Sequence, residues 1–592
     1  MNERSPASQR RRDGSTHERR TRERARRAEL LDVRLPAWRS KMLLFALFCS
    51  FAALSVRVVY LQGGWNTGFL KKQGEARYAR TLSEEPTRGA IYDRNGVVLA
   101  SSVPARAIWV NPDEFEANAQ QRSQLAHLLG LSLEEMRARV ANEDRSFVYL
   151  RRQLDPDLAQ KVELLRIAGV HQAKEFRRQY PEGPVTAHLL GFTNVSEHGL
   201  EGVEREYEGT LAGSPGLHHM IEDRLGHTIE DDWLHEPVQG QDIELAIDDR
   251  IQYIAHMAIK QAAEQNEAHA AAAVVLDVHT GELLALVNWP GFDPSRRGKV
   301  EADQFRDRAV TDTFEPGSTL KPFSIATAIE AGVVQPDSVV DTEGGKWSIG
   351  DRTITDEHPH ASLTVEQIVA KSSNIGTAKI ALRMASQPLW ETLTAVGFGQ
   401  VPHAGLSGAV TGRLRPASTW KPVEHATIAY GYGVSVSLLQ LAHAYLIFAR
   451  DGDIVPVSAL RTQTPPASVR VISPATAMKM RHMLEMATST EGTAPAARIA
   501  GYQVAGKTGT ARKMRDGRYT NTYVGSFVGF APASDPRIVV AVMVDEPSAG
   551  KFFGGDVAAP AFGAIAAGTL RALQVAPDAN AVQVAQTTPA GG

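Results

Sequence analysis

The sequence predicts an α+β protein held to a membrane by one N-terminal helix, and three features carry that prediction. Residues 42–61, MLLFALFCSFAALSVRVVYL, are almost entirely apolar and close to the roughly 20 residues that cross a bilayer. Two stretches, AAAVVLDVHTGELLALVNW at 271–289 and YVGSFVGFAPASDPRIVVAVMVDEP at 523–547, each read as two apolar β-rich runs around a turn. Between them lie segments of helical period: PFSIATAIEAGVV, LTVEQIVAKSSNIGTAKIALRMA and SLLQLAHAYLIFARDG. Strands at both ends and helices between predict one antiparallel sheet flanked by helices over 239–575.

The anchor follows from charge as well as hydropathy. Residues 1–41 carry thirteen Lys+Arg against six Asp+Glu, whereas the chain from residue 62 onward is net acidic. A basic arm can bind nucleic acid, but here an apolar span follows it directly. The positive-inside rule then puts residues 1–41 in the cytoplasm, as a disordered tail, and everything after residue 61 outside. Arg57 sits near the outer end, where its stem can snorkel beside Tyr60 and Trp65. A cleaved signal peptide would need a shorter n-region and a small-x-small site. The single cysteine, Cys49, rules out an internal disulfide framework. His358 and His360 are too few for a metal site, and neither metal nor cofactor is expected.

Residues 62–238 read as a separate mixed module without a paired nucleophile and base. RGAIYDRNGVVLASS at 88–102 predicts a hairpin around Asn95-Gly96. Ser132 and Glu135 have the spacing of a capping box opening a short helix. Thr364/Gln367 and Ser437/Gln440 give the same signal in the C-terminal module. The end, 576–592, is small and polar and reads as a disordered tail.

Ser-x-x-Lys occurs at Ser318, Ser418 and Ser548. Pro322 lacks the N–H that a helix interior needs, so it fits only in a first turn and puts Ser318 at a helix N-terminus. Free N–H groups and the positive dipole end there favour a developing anion, and Lys321 lies one turn on. The run after Ser418 meets Gly431-Tyr432-Gly433 early, and Ser548 is followed by no helical period. Downstream come Ser372-Ser373-Asn374 and Lys507-Thr508-Gly509, and only Ser318 precedes both. That order of S-x-x-K, S-x-N and K-T-G is a known catalytic set. Ser318 is therefore the candidate nucleophile.

With those motifs the chain resembles a class B penicillin-binding protein from the anchor to about residue 575. RGAIYDRNGVVLA (88–100), RRQYPEGPVTAHLLGFTN (177–194) and GLEGVERE (199–206) resemble the family's N-terminal pedestal. FEPGSTLKP, GYGVSVSLLQLA and GKFFGGDVAAPAFG are most similar to its division-specific septal branch. The resemblance implies a pedestal over 62–238, of the dimerisation type, and a transpeptidase domain like that of serine β-lactamases over 239–575. It implies a peptidoglycan D,D-transpeptidase that cross-links D-Ala-D-Ala stem peptides through a Ser318 acyl-enzyme and is inhibited by β-lactams. Lys321 would be the base, Ser372 the proton relay and Asn374 a ligand of the substrate amide. Lys507 and Thr508 would bind the substrate carboxylate, Gly509 would admit its backbone, and the N–H groups of Ser318 and Thr510 would form the oxyanion hole. Implied partners are a polytopic glycosyltransferase and other division proteins at the septum of the inner membrane, with no nucleic acid. An elongation-specific transpeptidase, a β-lactamase or β-lactam sensor, and an inactive division scaffold are the alternatives.

Overall fold

The computed structural model describes residues 36–62, 79–141, 147–222 and 228–579, apart from 297, 299, 465 and 516. The basic arm before residue 36 and the tail after 579 lie outside the described residues. Two compact units emerge, one of residues 1–84 with 216–236, the other of 85–215 with 237–592.

In the first unit the apolar span is a helix, Ala37–Gln62. It starts five residues before the stretch expected from composition, because Ala37–Lys41 continue the same helix into charged residues. Its apolar window has a mean hydropathy of 2.2 over a 24-residue candidate span, Ala37–Tyr60. The Arg57 guanidinium lies 5.8 Å from the centre of the Tyr60 ring, within cation–π reach. The same unit holds a three-stranded antiparallel sheet of Ala79–Glu84, Gly216–Glu222 and Thr228–His235.

The second unit opens with β1 (Ile91–Tyr92) and the long β2 (Val98–Val110). Their connection is a hairpin, as expected, but only Gly96 takes the positive φ, at 82°. Asp93 does the rest: its Oδ1 accepts the N–H groups of Asn95 and Val97, each at 2.7 Å. Helices α1 (Ala119–Leu129) and α2 (Leu133–Val140) follow, then β3 (Val148–Leu154), α3 (Pro156–Leu164) and β4 (Val170–Gln179). The Ser132/Glu135 capping box is formed at the head of α2. β2 pairs with both β3 and β4, and Ile108, Val110, Leu125, Leu129 and Met136 close a small core on that sheet. Strand β5 (Ile243–Glu244) returns to pair in parallel with β1.

The three N-terminal stretches that carry the family resemblance converge on one buried carboxylate. Glu204 takes Arg88 Nε at 2.7 Å and Arg178 Nε at 2.7 Å, all three side chains being buried. Arg88 also reaches Glu208 at 2.6 Å. Charges this deep persist only when paired, so the three segments are locked to one another.

The C-terminal part is built on an antiparallel sheet, as the sequence predicts, and it has five strands. Helix α4 (Asp249–Gln265) leads to β6 (Ala270–Asp277) and β7 (Leu283–Trp289). The helical segments become α5 (Lys321–Glu330), α6 (Val365–Lys371), α7 (Asn374–Ala381) and α8 (Leu438–Ala444), and a further helix that no expectation covered, α9 (Pro474–Thr488), follows. The sheet is completed by β8 (Ala505–Arg515), β9 (Arg518–Ala531) and β10 (Ile538–Asp545), and α10 (Ala559–Ala572) ends the fold. Strand order is β7-β6-β10-β9-β8, so β8 is an edge. Every residue of β6 is buried: Ala272, Val274 and Leu276 face the core holding α5 and α8, while Ala271, Ala273 and Val275 face α4 and α10. Burial on both faces is why this strand reads as an unbroken apolar run rather than an alternating one. Both expected capping boxes, at α6 and α8, are formed.

Candidate active site

The segment before α5 begins the site. Gly317–Leu320 form one 3-10 turn and α5 starts at Lys321, with Pro322 in its first turn. Ser318 thus stands at a helix head, half-buried, and its hydroxyl makes no hydrogen bond among the described residues. Helical residues end at Glu330, four short of the expected Val334.

The turn is clamped from three sides. The Gly317 N–H donates to Gly431 O at 3.1 Å, and a Cβ on Gly431 would lie 1.9 Å from Gly317 O. The buried Tyr445 hydroxyl donates to Thr319 O at 2.7 Å. The edge strand closes the third side: a Cβ on Gly509 would meet Pro316 O at 2.8 Å and Thr319 Cγ2 at 2.9 Å. The absence of a side chain at 509 therefore lets β8 lie against the turn that carries Ser318.

Ser372 caps α6 in the left-handed conformation, φ 61° and ψ 42°. Few side chains other than glycine tolerate that region, and the twist turns the hydroxyl toward two lysines. Lys321 Nζ donates to Ser372 O at 2.5 Å and Oγ at 3.1 Å. Lys507 Nζ reaches the same Oγ at 3.0 Å and Thr508 Oγ1 at 3.2 Å. The two lysines are 1% and 0% exposed, which makes their charge costly. Burial first, and then the field of Lys507, hold the Lys321 amine well below the ordinary lysine range, against the opposing pull of Asp356 and Glu357. Burial brings the Lys507 amine down to about 7.

Asp356 organises the second motif. Its Oδ1 accepts the N–H groups of Asn374 at 2.6 Å and Ile375 at 3.0 Å, and its Oδ2 accepts the Ser373 hydroxyl at 2.5 Å. A carboxylate at the head of α7 satisfies donors that the helix leaves open. The Asn374 amide donates from Nδ2 to Thr355 O at 2.9 Å, which fixes its orientation.

On β8, Thr508 Oγ1 donates to Thr493 Oγ1 at 3.2 Å, and Thr510 Oγ1 accepts the Gly554 N–H at 3.0 Å. The eight expected site residues thus fall on four adjoining pieces: the turn, α5, the α6–α7 junction and one sheet edge. The other two Ser-x-x-Lys matches do not join them. Ser418 and Lys421 are exposed around the short turn Ala417–Thr419, and Ser548 is an exposed hydroxyl donating to Glu267 O. His360 Nδ1 bonds the His358 carbonyl oxygen at 2.8 Å.

Sequence reasoning missed Asp356, Thr493, Gly431 and Tyr445. No motif marks Asp356, which lies 16 positions before Ser372. Gly431 sits in a stretch singled out above, where its contact with Gly317 could be found only in three dimensions.

A serine at a helix head, with a buried amine one turn on and a hydroxyl shared by two lysines, defines a serine-nucleophile acyl-transfer site. Comparison with known proteins agrees. The penicillin-binding protein transpeptidase domain matches residues 271–567, and the penicillin-binding protein dimerisation domain matches 83–245. The chain is 39% identical over 557 residues to the probable peptidoglycan D,D-transpeptidase PenA of Neisseria meningitidis, covering 93% of this chain and 95% of that one. It is 38% identical over 550 residues to the peptidoglycan D,D-transpeptidase FtsI of Escherichia coli K12, covering 92% and 93%. Among solved structures it resembles the apo transpeptidase domain of Burkholderia pseudomallei penicillin-binding protein 3, at 46% identity and TM-score 0.53, covering 57% of this chain and 98% of that one. Penicillin-binding protein 3 of Mycobacterium tuberculosis, complexed with aztreonam, is 29% identical at TM-score 0.66, covering 84% and 98%. The chain belongs to the class B penicillin-binding proteins.

Proposed function

We propose that this protein is the peptidoglycan D,D-transpeptidase of the division septum, acting through a Ser318 acyl-enzyme. The observation that carries the reading is the Ser372 hydroxyl held between two buried lysine amines, 3.1 and 3.0 Å away.

In the first step Ser318 Oγ attacks the carbonyl of the penultimate D-Ala of a stem peptide. Its proton passes to the Lys321 amine, which burial and Lys507 keep available as a base. Ser372 Oγ accepts from both amines, so its own proton points elsewhere, toward the leaving amine of the terminal D-Ala. Protonation there breaks the C–N bond, frees D-Ala, and is balanced by proton return from Lys321. N–H groups of Ser318 and Thr510 hold the oxyanion, a contribution of about 3 kcal/mol per donor in such sites. Lys507 and Thr508 take the terminal carboxylate, and Asn374 takes the substrate backbone amide. In the second step an amine of a neighbouring stem attacks the ester, gives its proton to Lys321, and releases Ser318 with the cross-link formed. A β-lactam opens on Ser318 by the same attack, but its amine cannot diffuse away.

The helix Ala37–Gln62 supports an inner-membrane, single-pass placement with a cytoplasmic N-terminus and a periplasmic catalytic domain. Along the chain the pedestal, 62–238, falls between the anchor and the catalytic domain at 239–575. It is the surface offered to a polytopic glycosyltransferase and other division proteins. The test is exchange: the full-length protein in detergent, given a D-Ala-D-Ala stem peptide and labelled D-Ala, incorporates label, and Ser318→Ala abolishes it. Release of free D-Ala with no transfer to any amine acceptor contradicts the transpeptidase reading.

A further inference from the structure

The turn after α9 touches both halves of the site. Residues 489–494 leave the helix at Thr488 and fold back on it: the Gly492 N–H donates to Ser489 O at 3.1 Å and the Ala494 N–H to Ala487 O at 3.0 Å. A Cβ on Gly492 would lie 2.2 Å from Ala487 O, so the turn sits tight on the helix end. Beyond α9, two side-chain hydrogen bonds reach it among the described residues. Thr508 Oγ1, on the edge strand β8, donates to Thr493 Oγ1 at 3.2 Å. Lys371 Nζ, from the last residue of α6, donates to Glu491 O at 2.8 Å. Lys371 forms no ion pair among the described residues, so its ammonium serves a main-chain carbonyl instead of a carboxylate.

The route Lys371–Glu491–Thr493–Thr508 joins the α6–α7 junction to the edge strand without using Ser372. At its far end the Thr508 hydroxyl accepts Lys507 Nζ at 3.2 Å and gives its proton to Thr493, which fixes its rotamer. A polar group fixed before the ligand arrives needs no reorganisation when it binds. A charge-assisted bond such as that of Lys371 is about twice as strong as a neutral one. Resting on the transpeptidase reading above, we propose that Lys371 is a positioning residue for the carboxylate end of the donor peptide. It holds the 489–494 turn, the turn holds Thr493, and Thr493 keeps Thr508 set against Lys507. Without the Lys371 ammonium the turn is anchored to α9 alone, and the Thr508 hydroxyl loses its fixed partner. Carboxylate recognition then loosens, while Ser318, Lys321 and Ser372 keep their own contacts.

The experiment uses the full-length protein in detergent and two pentapeptide donors that differ only at the end, D-Ala-D-Ala or D-Ala-D-alaninamide. Release of the last residue gives kcat and KM for each, and labelling by saturating fluorescent penicillin shows that each variant is folded. Lys371→Gln is expected to raise KM for the carboxylate donor about 10-fold, the range of a hydrogen bond to a charged group. Its kcat stays within about twofold, as when binding alone is lost, and the carboxylate-to-amide ratio of kcat/KM falls by a similar factor of about 10. Thr493→Val tests the same route from its other end without touching α6, and gives the same loss. The double variant loses no more than either single one, because both act through one path. An unchanged ratio in either folded variant, a fall in kcat at constant KM, or additive losses in the double variant overturns the assignment of Lys371 alone. Wild type that labels but releases D-Ala from the carboxylate donor at no measurable rate overturns the transpeptidase reading, and the Lys371 assignment with it.

Discussion

Ser372 Oγ lies 3.1 Å from Lys321 Nζ and 3.0 Å from Lys507 Nζ, so one hydroxyl joins amines from two elements separated by 186 positions. Removing it separates catalysis from packing. Ser372→Ala and Ser372→Gly both lose the relay, and acylation by a penicillin is expected to slow by about 10²-fold or more in each. Their stabilities differ, because alanine at φ 61° carries a cost of about 1–2 kcal/mol that glycine avoids. Denaturant unfolding of the pair checks this. Equal stability in the two variants contradicts the strained cap.

Burial of Lys507 predicts a pH dependence of stability. The folded-state pKa, about 7, lies below the ordinary lysine value of 10.5, so between those limits the unfolded chain binds the extra proton. Stability therefore rises with pH across that window, by up to about 1.4 kcal/mol per pH unit from this group. Below the folded pKa the penalty is complete and the slope from Lys507 vanishes. Lys507→Met is expected to flatten the rise between pH 7 and pH 9, measured by urea unfolding at each pH. An unaltered slope would show that Lys507 stays charged in the native state.

Asp356 stabilises three donors and raises the Lys321 pKa through its charge. Asp356→Asn keeps the shape, weakens those bonds and removes the charge. The expected loss is about 1.5–3 kcal/mol of stability. The acid limb of the acylation rate against pH should move to lower pH, because Lys321 then gives up its proton more readily. A limb displaced upward would contradict Lys321 as the base.

Glycine at 431 is required by contact and by conformation, with φ 92° and a Cβ that would lie 1.9 Å from Gly317 O. Gly431→Ala is expected to displace the nucleophile turn and lower penicillin acylation by at least about 10²-fold, since displacements near 1 Å have that effect. Stopped-flow acylation rates measure it. Gly433, whose Cβ would come no closer than 3.7 Å to Ile428 Cγ1, makes the comparison: Gly433→Ala meets only backbone strain and loses less.

Much of this was legible in the residues themselves. The apolar helix, the two β hairpins of the sheet and three capping boxes rest on local rules, and the hairpins and capping boxes formed as read. Ser318 stood out as the candidate because Pro322 constrains a helix start and because order along the chain excluded its twins. What remained hidden was set by packing between distant segments. Asp356 looks like one of many loop acids until it meets the head of α7. Glu204 is one of several carboxylates in its stretch until Arg88 and Arg178 are seen to share it. The helix Ala37–Gln62 outran the expected span because helical backbone tolerates charged residues that hydropathy excludes.

The most direct test of the account is peptide mapping by mass spectrometry after exposure of the full-length protein to a β-lactam. The account predicts one stable adduct, on the peptide containing Ser318, persisting for many minutes, with none on Ser418 or Ser548. An adduct on either of those serines, or one on Ser318 that clears within seconds, would contradict it.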